Sequence, residues 1–186
     1  MIAKLKMLNP SVAAVCLSLV LITPAMADDG VLDQLFERLQ ADVLPEWESI
    51  EQDIWDEWSK SGSDAMDLLL ERGRDAMEQG DLVAAIEHFT ALTDHAPDFA
   101  EGYNMRATAY FQAELLGPSM SDIERTLVLN PRHYGAMIGL GTILRELGRE
   151  KEALVAYRRA LTFNPHRKDV QDAVAILAAR NDGVDT

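Results

Sequence analysis

Four histidines, one cysteine and 31 carboxylates are the residues of this 186-residue chain that could do chemistry. Metal binding needs ligands that converge. His88, His95, His133 and His166 form no i, i+4 pair, and no cysteine cluster stands near them, so the usual helical or Cys-rich ligand spacing is missing. Cys16 lies inside an apolar N-terminal run, and no Gly-x-Ser-x-Gly turn supplies a nucleophile. Gly139-Leu140-Gly141 has two glycines of a dinucleotide fingerprint but lacks the third and follows no strand pattern. The carboxylates are scattered along helical patterns, where charge is ordinarily solvated. The expectation is a protein without catalytic residues, cofactor or metal.

The charge balance narrows the partners. Thirty-one acidic residues face 17 basic ones, for a formal net charge of −14. The excess is concentrated early: residues 28–65 hold twelve acids against Arg38 and Lys60. Such a field repels phosphate backbones and anionic membrane surfaces, which argues against nucleic acid as a partner. Residues 1–27 read as a secretory signal. Lys4 and Lys6 form its basic start, 12–22 its apolar run, and Ala25-Met26-Ala27 its cleavage site. The run is about half the roughly 20 residues a membrane span needs, so an uncleaved signal would be the one link to a membrane. Such a signal implies export across a bacterial inner membrane or into a eukaryotic ER; its brevity and the lack of cysteine suit a bacterium, so the expected location is across the inner membrane, in the periplasm. Without cysteine beyond the signal, the mature chain must hold its fold by packing.

The elements that position these side chains follow from a repeat. Ala96-Pro97, Asn130-Pro131 and Asn164-Pro165 place prolines 34 residues apart, twice. The interiors match in step. Small residues recur at Gly73, Ala107 and Gly141, and again at Ala85, Ser119 and Ala153. Large ones recur at Phe89, Ile123 and Tyr157. Small residues let two helices of one unit approach; large ones fill the space between units. Each proline ends a helix, because it lacks an N–H and clashes with the preceding turn. Gly80 and Gly148 are stops that accept a left-handed backbone, and Asp81 can cap the helix that follows. The second unit departs from this pattern: it has Glu114 at the glycine position, and Gly117-Pro118 suggests a displaced or lengthened turn.

By these residues and this period the chain resembles the tetratricopeptide repeat family. The resemblance implies an all-α solenoid of helix-turn-helix units at 66–99, 100–133 and 134–167. A C-terminal helix and tail at 168–186 would cap it, with Val170, Ala173, Val174 and Leu177 at helical spacing. The acidic segment 28–65 reads as a helical hairpin, interrupted at Pro45 and ended by Ser61-Gly62-Ser63. Counting back one period makes it a degenerate fourth repeat at about 32–65. Two departures count against strict equivalence: Trp58 stands where the family has alanine, and no proline closes the unit. All three tryptophans, Trp47, Trp55 and Trp58, lie here. They could fill the first inter-repeat core as an N-terminal cap, or form a docking surface of their own.

The resemblance also implies a concave groove lined by the first helix of each unit. The candidate protein-binding residues are Leu70, Arg74 and Met77, then Asn104, Met105, Thr108 and Phe111, then Ile138, Thr142 and Arg145. Glu78, Gln112, Gly135 and Gly139 share that lining. The lysine- and asparagine-based clamp with which one subtype grips a C-terminal carboxylate is missing, because Leu70, Met105, Gly135 and Gly139 occupy its places. An apolar or amphipathic segment fits better, although some of these side chains could equally pack between helices or against the hairpin. The functional expectation is a non-catalytic adaptor or assembly factor for another exported protein. The alternatives are a self-associating structural module, and a non-catalytic subunit of an envelope complex.

Overall fold

The computed structural model describes residues 29–182, in which all regular structure is helical. Helices α1 (Asp29–Leu39) and α2 (Trp47–Trp58) form the N-terminal hairpin. Three further hairpins follow: α3 (Asp64–Glu78) with α4 (Leu82–His95), α5 (Ala100–Gln112) with α6 (Leu116–Leu129), and α7 (Tyr134–Glu146) with α8 (Glu150–Phe163). Helix α9 (Lys168–Asp182) ends the stack. Among the described residues no helix is long and apolar enough to cross a membrane. The signal pattern at 1–27 and the tail 184–186 lie outside the described residues.

Each unit closes where the small residues predict. A Cβ on Gly73 would sit 2.2 Å from the Phe89 ring, and one on Gly141 would sit 2.6 Å from the Tyr157 ring. Ala85, Ser119 and Ala153 are fully buried on the opposing helices. Ser119 Oγ donates to the Ala107 carbonyl at 2.8 Å, so its hydroxyl is satisfied inside the crossing. Phe89, Ile123 and Tyr157 are buried as the large members of the pattern. Asp81 caps α4 as expected, accepting from the Ala84 N–H at 3.0 Å.

The turns within units share one geometry. Gly80 and Gly148 have φ of 75° and 73°. Behind them the Asp81 and Arg149 N–H groups reach back to the Ala76 and Leu144 carbonyls. The second unit makes the same turn without glycine. Glu114 adopts φ 60°, and the Leu115 N–H reaches the Tyr110 carbonyl at 2.8 Å. The turn is therefore neither displaced nor lengthened. Gly117-Pro118 falls inside the first turn of α6, where a proline's missing N–H costs nothing.

A polar tie joins the first two units. Arg106 on α5 makes a two-pronged bond to Asp122 on α6 at 2.7 and 2.8 Å, and also donates to Thr93 on α4 at 2.8 Å. The bonds to Asp122 push the Arg106 guanidinium pKa up, against the effect of burial. At the far end Val170 and Leu177 of α9 are buried against α8. The predicted capping helix is thus in place.

Candidate peptide-binding groove

The first helices α3, α5 and α7 touch one another from unit to unit, so the stack curves with these helices inside. The N-terminal hairpin does not extend that stack. Leu35, Phe36, Leu39, Ile50, Ile54 and Trp58 bury themselves in one cluster with Tyr134, Met137 and Ala160 of the third unit. Two expectations are corrected here, the degenerate fourth repeat at about 32–65 and the N-terminal cap whose tryptophans fill the first inter-repeat core: the hairpin folds back over the later inter-repeat turns. The physical reason lies in Trp58. An indole cannot occupy a close helix crossing that needs alanine, and it finds room instead against an imidazole.

Three tryptophans make this docking specific. Trp58 stacks on His133, with ring centroids 4.2 Å apart and planes 18° apart. Trp47 stacks on His166 at 6.2 Å, and Trp55 Nε1 donates to the Tyr134 hydroxyl at 2.9 Å. Polar ties surround them. Asn164 donates to Glu51 at 2.9 Å, Gln40 donates to the Phe163 carbonyl at 2.9 Å, and Arg132 pairs with Asp33. Burial, with Glu51 nearby, pushes the Tyr134 hydroxyl pKa well above its ordinary value. The phenol therefore stays neutral and can accept from the indole.

Beneath Trp58 lies a buried polar node. Glu101, at the start of α5, accepts from Arg74 of α3 at 3.0 Å and from Asn104 at 3.1 Å. Its second oxygen is also 3.0 Å from His133 Nε2. His133 caps α7, its Nδ1 accepting from the Ala136 N–H at 3.1 Å. With Nδ1 acting as acceptor, the ring hydrogen sits on Nε2 and points at Glu101. Arg74 also donates to Ser59 Oγ, so the same node holds the end of α2.

Among the described residues, two clefts along α5 gather candidate groove residues. The larger, about 420 Å³, lies between α2 and the α3/α5 face; Trp55, Arg74, Met77 and Met105 line it, with Gln52, Asp56, Ser59, Glu78 and Gln112. The smaller, about 140 Å³, lies between α5, α6 and α7; Asn104, Thr108, Phe111, Ile138, Gly139 and Thr142 line it. Eight of the ten candidate groove residues thus come together in these two places. Leu70 does not: it is 2 % exposed and belongs to the α3/α4/α5 core. That expectation is corrected, because the side chain is enclosed in the core that the three helices share. Arg145 is exposed near the end of α7 and lines neither cleft. Thr108 and Thr142 bond back to the carbonyls four residues earlier, and Thr142 also meets the Tyr157 hydroxyl at 3.1 Å.

Sequence reasoning missed the wall formed by Gln52, Trp55 and Asp56 of α2 with Ser59 just beyond its end. The signal was the misfit itself: a tryptophan at an alanine position and no closing proline. Among the described residues no group of three or more histidines and carboxylates converges to hold a metal ion.

A family model for the tetratricopeptide repeat matches residues 70–117 and 121–168. A TPR repeat-containing protein of Rhizobium etli is 37 % identical over 97 residues, which cover 52 % of this chain and 48 % of that protein. The chain therefore matches about half the length of this relative. Among solved structures, the first TPR of Spaghetti (RPAP3) bound to an HSP90 peptide has a TM-score of 0.60 and 24 % identity, covering 63 % of this chain and 93 % of that one. The Sgt2 TPR domain from Aspergillus fumigatus has a TM-score of 0.61 and 20 % identity, covering 66 % and 83 %. Both likenesses are of fold.

Proposed function

The chain belongs to the tetratricopeptide repeat family, and from that premise we propose that it is a non-catalytic adaptor or assembly factor that holds a peptide or helix of another exported protein. Domains of this fold generally mediate protein–protein interaction, and the fold is typically non-catalytic. The observation that carries the reading is the larger cleft: two methionines and a tryptophan 42 % exposed, gathered on an inner face. Methionine adapts to varied apolar partners, and tryptophan is a common anchor of binding energy. The periplasm is the compartment we assign, supported by the signal pattern of Lys4, Lys6, residues 12–22 and Ala25-Met26-Ala27.

The test is capture from an extract of exported proteins, with the mature chain and a Met77→Glu, Met105→Glu variant as baits. Circular dichroism first establishes that the variant keeps its helices. A protein held by the wild type and lost by the variant supports the adaptor reading. Equal capture by both moves the site elsewhere. Capture of nothing but the chain itself favours self-association. Export is tested by fractionating source cells and sequencing the N-terminus; an uncleaved product retained in the cytoplasm overturns it.

A further inference from the structure

The larger cleft has a sign as well as a shape. Its floor is Met77 and Met105, both half-buried. Its wall is Trp55, whose indole N–H is already committed to Tyr134, so the ring meets the cleft as an aromatic surface. Arg74 also lines it, but Glu101 answers that charge at 3.0 Å. The remaining charges are the exposed carboxylates of Asp56 and Glu78. Asp56 accepts a bond from the neutral amide of Gln52 at 2.8 Å, and no cation among the described residues is bridged to either carboxylate.

We propose that this cleft takes a peptide segment in which an apolar side chain is flanked by lysine or arginine. The inference rests on the adaptor reading and supplies its chemistry. The apolar side chain covers the methionine floor. A flanking cation gains the face of Trp55 and the field of Asp56 and Glu78 together, an arrangement that favours ammonium and guanidinium groups. Each exposed ion pair is weak alone, so the carboxylates act mainly on selection and on the rate of encounter. The same field, continuous with the acidic α2, turns away acidic tails. Because α2 supplies one wall, the site exists only while the hairpin is docked.

The test uses the mature chain and two labelled heptapeptides. One carries leucine and methionine with three lysines; the other has glutamate at the lysine positions. Binding is read by fluorescence polarisation. The lysine peptide should bind wild type at least tenfold more tightly than the Asp56→Lys, Glu78→Lys variant. The glutamate peptide should bind only that variant. A control, Glu87→Lys with Glu124→Lys, makes the same change of net charge on exposed sites of α4 and α6; it should bind the lysine peptide like wild type. All four substituted positions are exposed, so helicity should survive and circular dichroism verifies it. Equal lysine-peptide binding by wild type and cleft variant overturns the proposal, as does equal loss in the control or failure of the lysine peptide to bind wild type. None of these results touches the capture experiment, so the adaptor reading can stand while its proposed chemistry fails. Loss of capture specificity alongside tight, charge-dependent peptide binding would instead leave the cleft and remove the exported partner.

Discussion

Trp58 of α2 lies flat against His133, the residue that caps α7, at a centroid distance of 4.2 Å. Seventy-five positions separate the two in sequence, yet they fix where the N-terminal hairpin sits and what it leaves open. Few backbone positions of α1 and α2 come close to the other helices. Side chains bridge the gap: the aromatic contacts, the aliphatic cluster around Leu39, Ile50 and Ile54, and the polar ties from Gln40, Glu51 and Asp33.

Removing that contact should free the hairpin without dissolving the solenoid. Trp58→Ala is expected to cost about 3–5 kcal/mol, the usual range for truncating a buried aromatic. Hydrogen exchange would rise first in 29–58, while α3 to α6 keep their protection. Uniform loss of protection across all helices would show that the hairpin is needed for the whole stack.

The helix crossings tolerate no added volume. Gly73→Ala would drive a methyl group into Phe89, and Ala153→Leu would overfill the fully buried crossing of α7 and α8. Each should destabilise by roughly 1–3 kcal/mol in urea unfolding. Unchanged midpoints would mean that the crossings are looser than the geometry indicates.

Glu114 carries strain that its counterparts avoid. At φ 60° a side chain with a Cβ costs roughly 1–2 kcal/mol relative to the right-handed region, while glycine loses part of that gain to its greater freedom when unfolded. Glu114→Gly should therefore raise stability by about 0.5–1 kcal/mol, seen as a higher thermal midpoint. A lower midpoint would mean that the glutamate side chain makes a compensating contact.

Acid should loosen the capping helix. Arg167 donates to both oxygens of Asp169 at 3.0 and 2.8 Å, and those bonds hold its carboxyl below the ordinary aspartate range. A folded-state value below the unfolded one means that the pair stabilises above the unfolded pKa of about 3.9. That contribution is lost as pH falls through the lower folded value. Carboxyl titration by NMR should place Asp169 low in wild type and return it toward the ordinary value in Arg167→Gln. Identical titrations would remove the pair as the cause.

The sequence by itself determined the repeat. Prolines 34 residues apart, Gly73 facing Phe89, Gly141 facing Tyr157 and Asp81 before α4 are local requirements, each carried by a residue type at a fixed spacing. They settle helix ends and crossings because a helix stop or a close approach depends on a few neighbouring side chains. The same logic places a displaced turn at Gly117-Pro118, whereas Glu114 takes the left-handed backbone itself and the Leu115 N–H closes the turn on Tyr110. Tertiary structure alone decided the rest. Whether Leu70 faces the groove or the core depends on how the neighbouring helices close around it, and they bury it. Whether α2 extends the stack or crosses its inner edge depends on where three indoles find partners: His133 and His166 stack on two of them from turns far along the chain, and the Tyr134 hydroxyl at the start of α7 accepts from the third. A period reports what repeats between neighbours; it carries no information about a segment that leaves the repeat to pack against a distant unit.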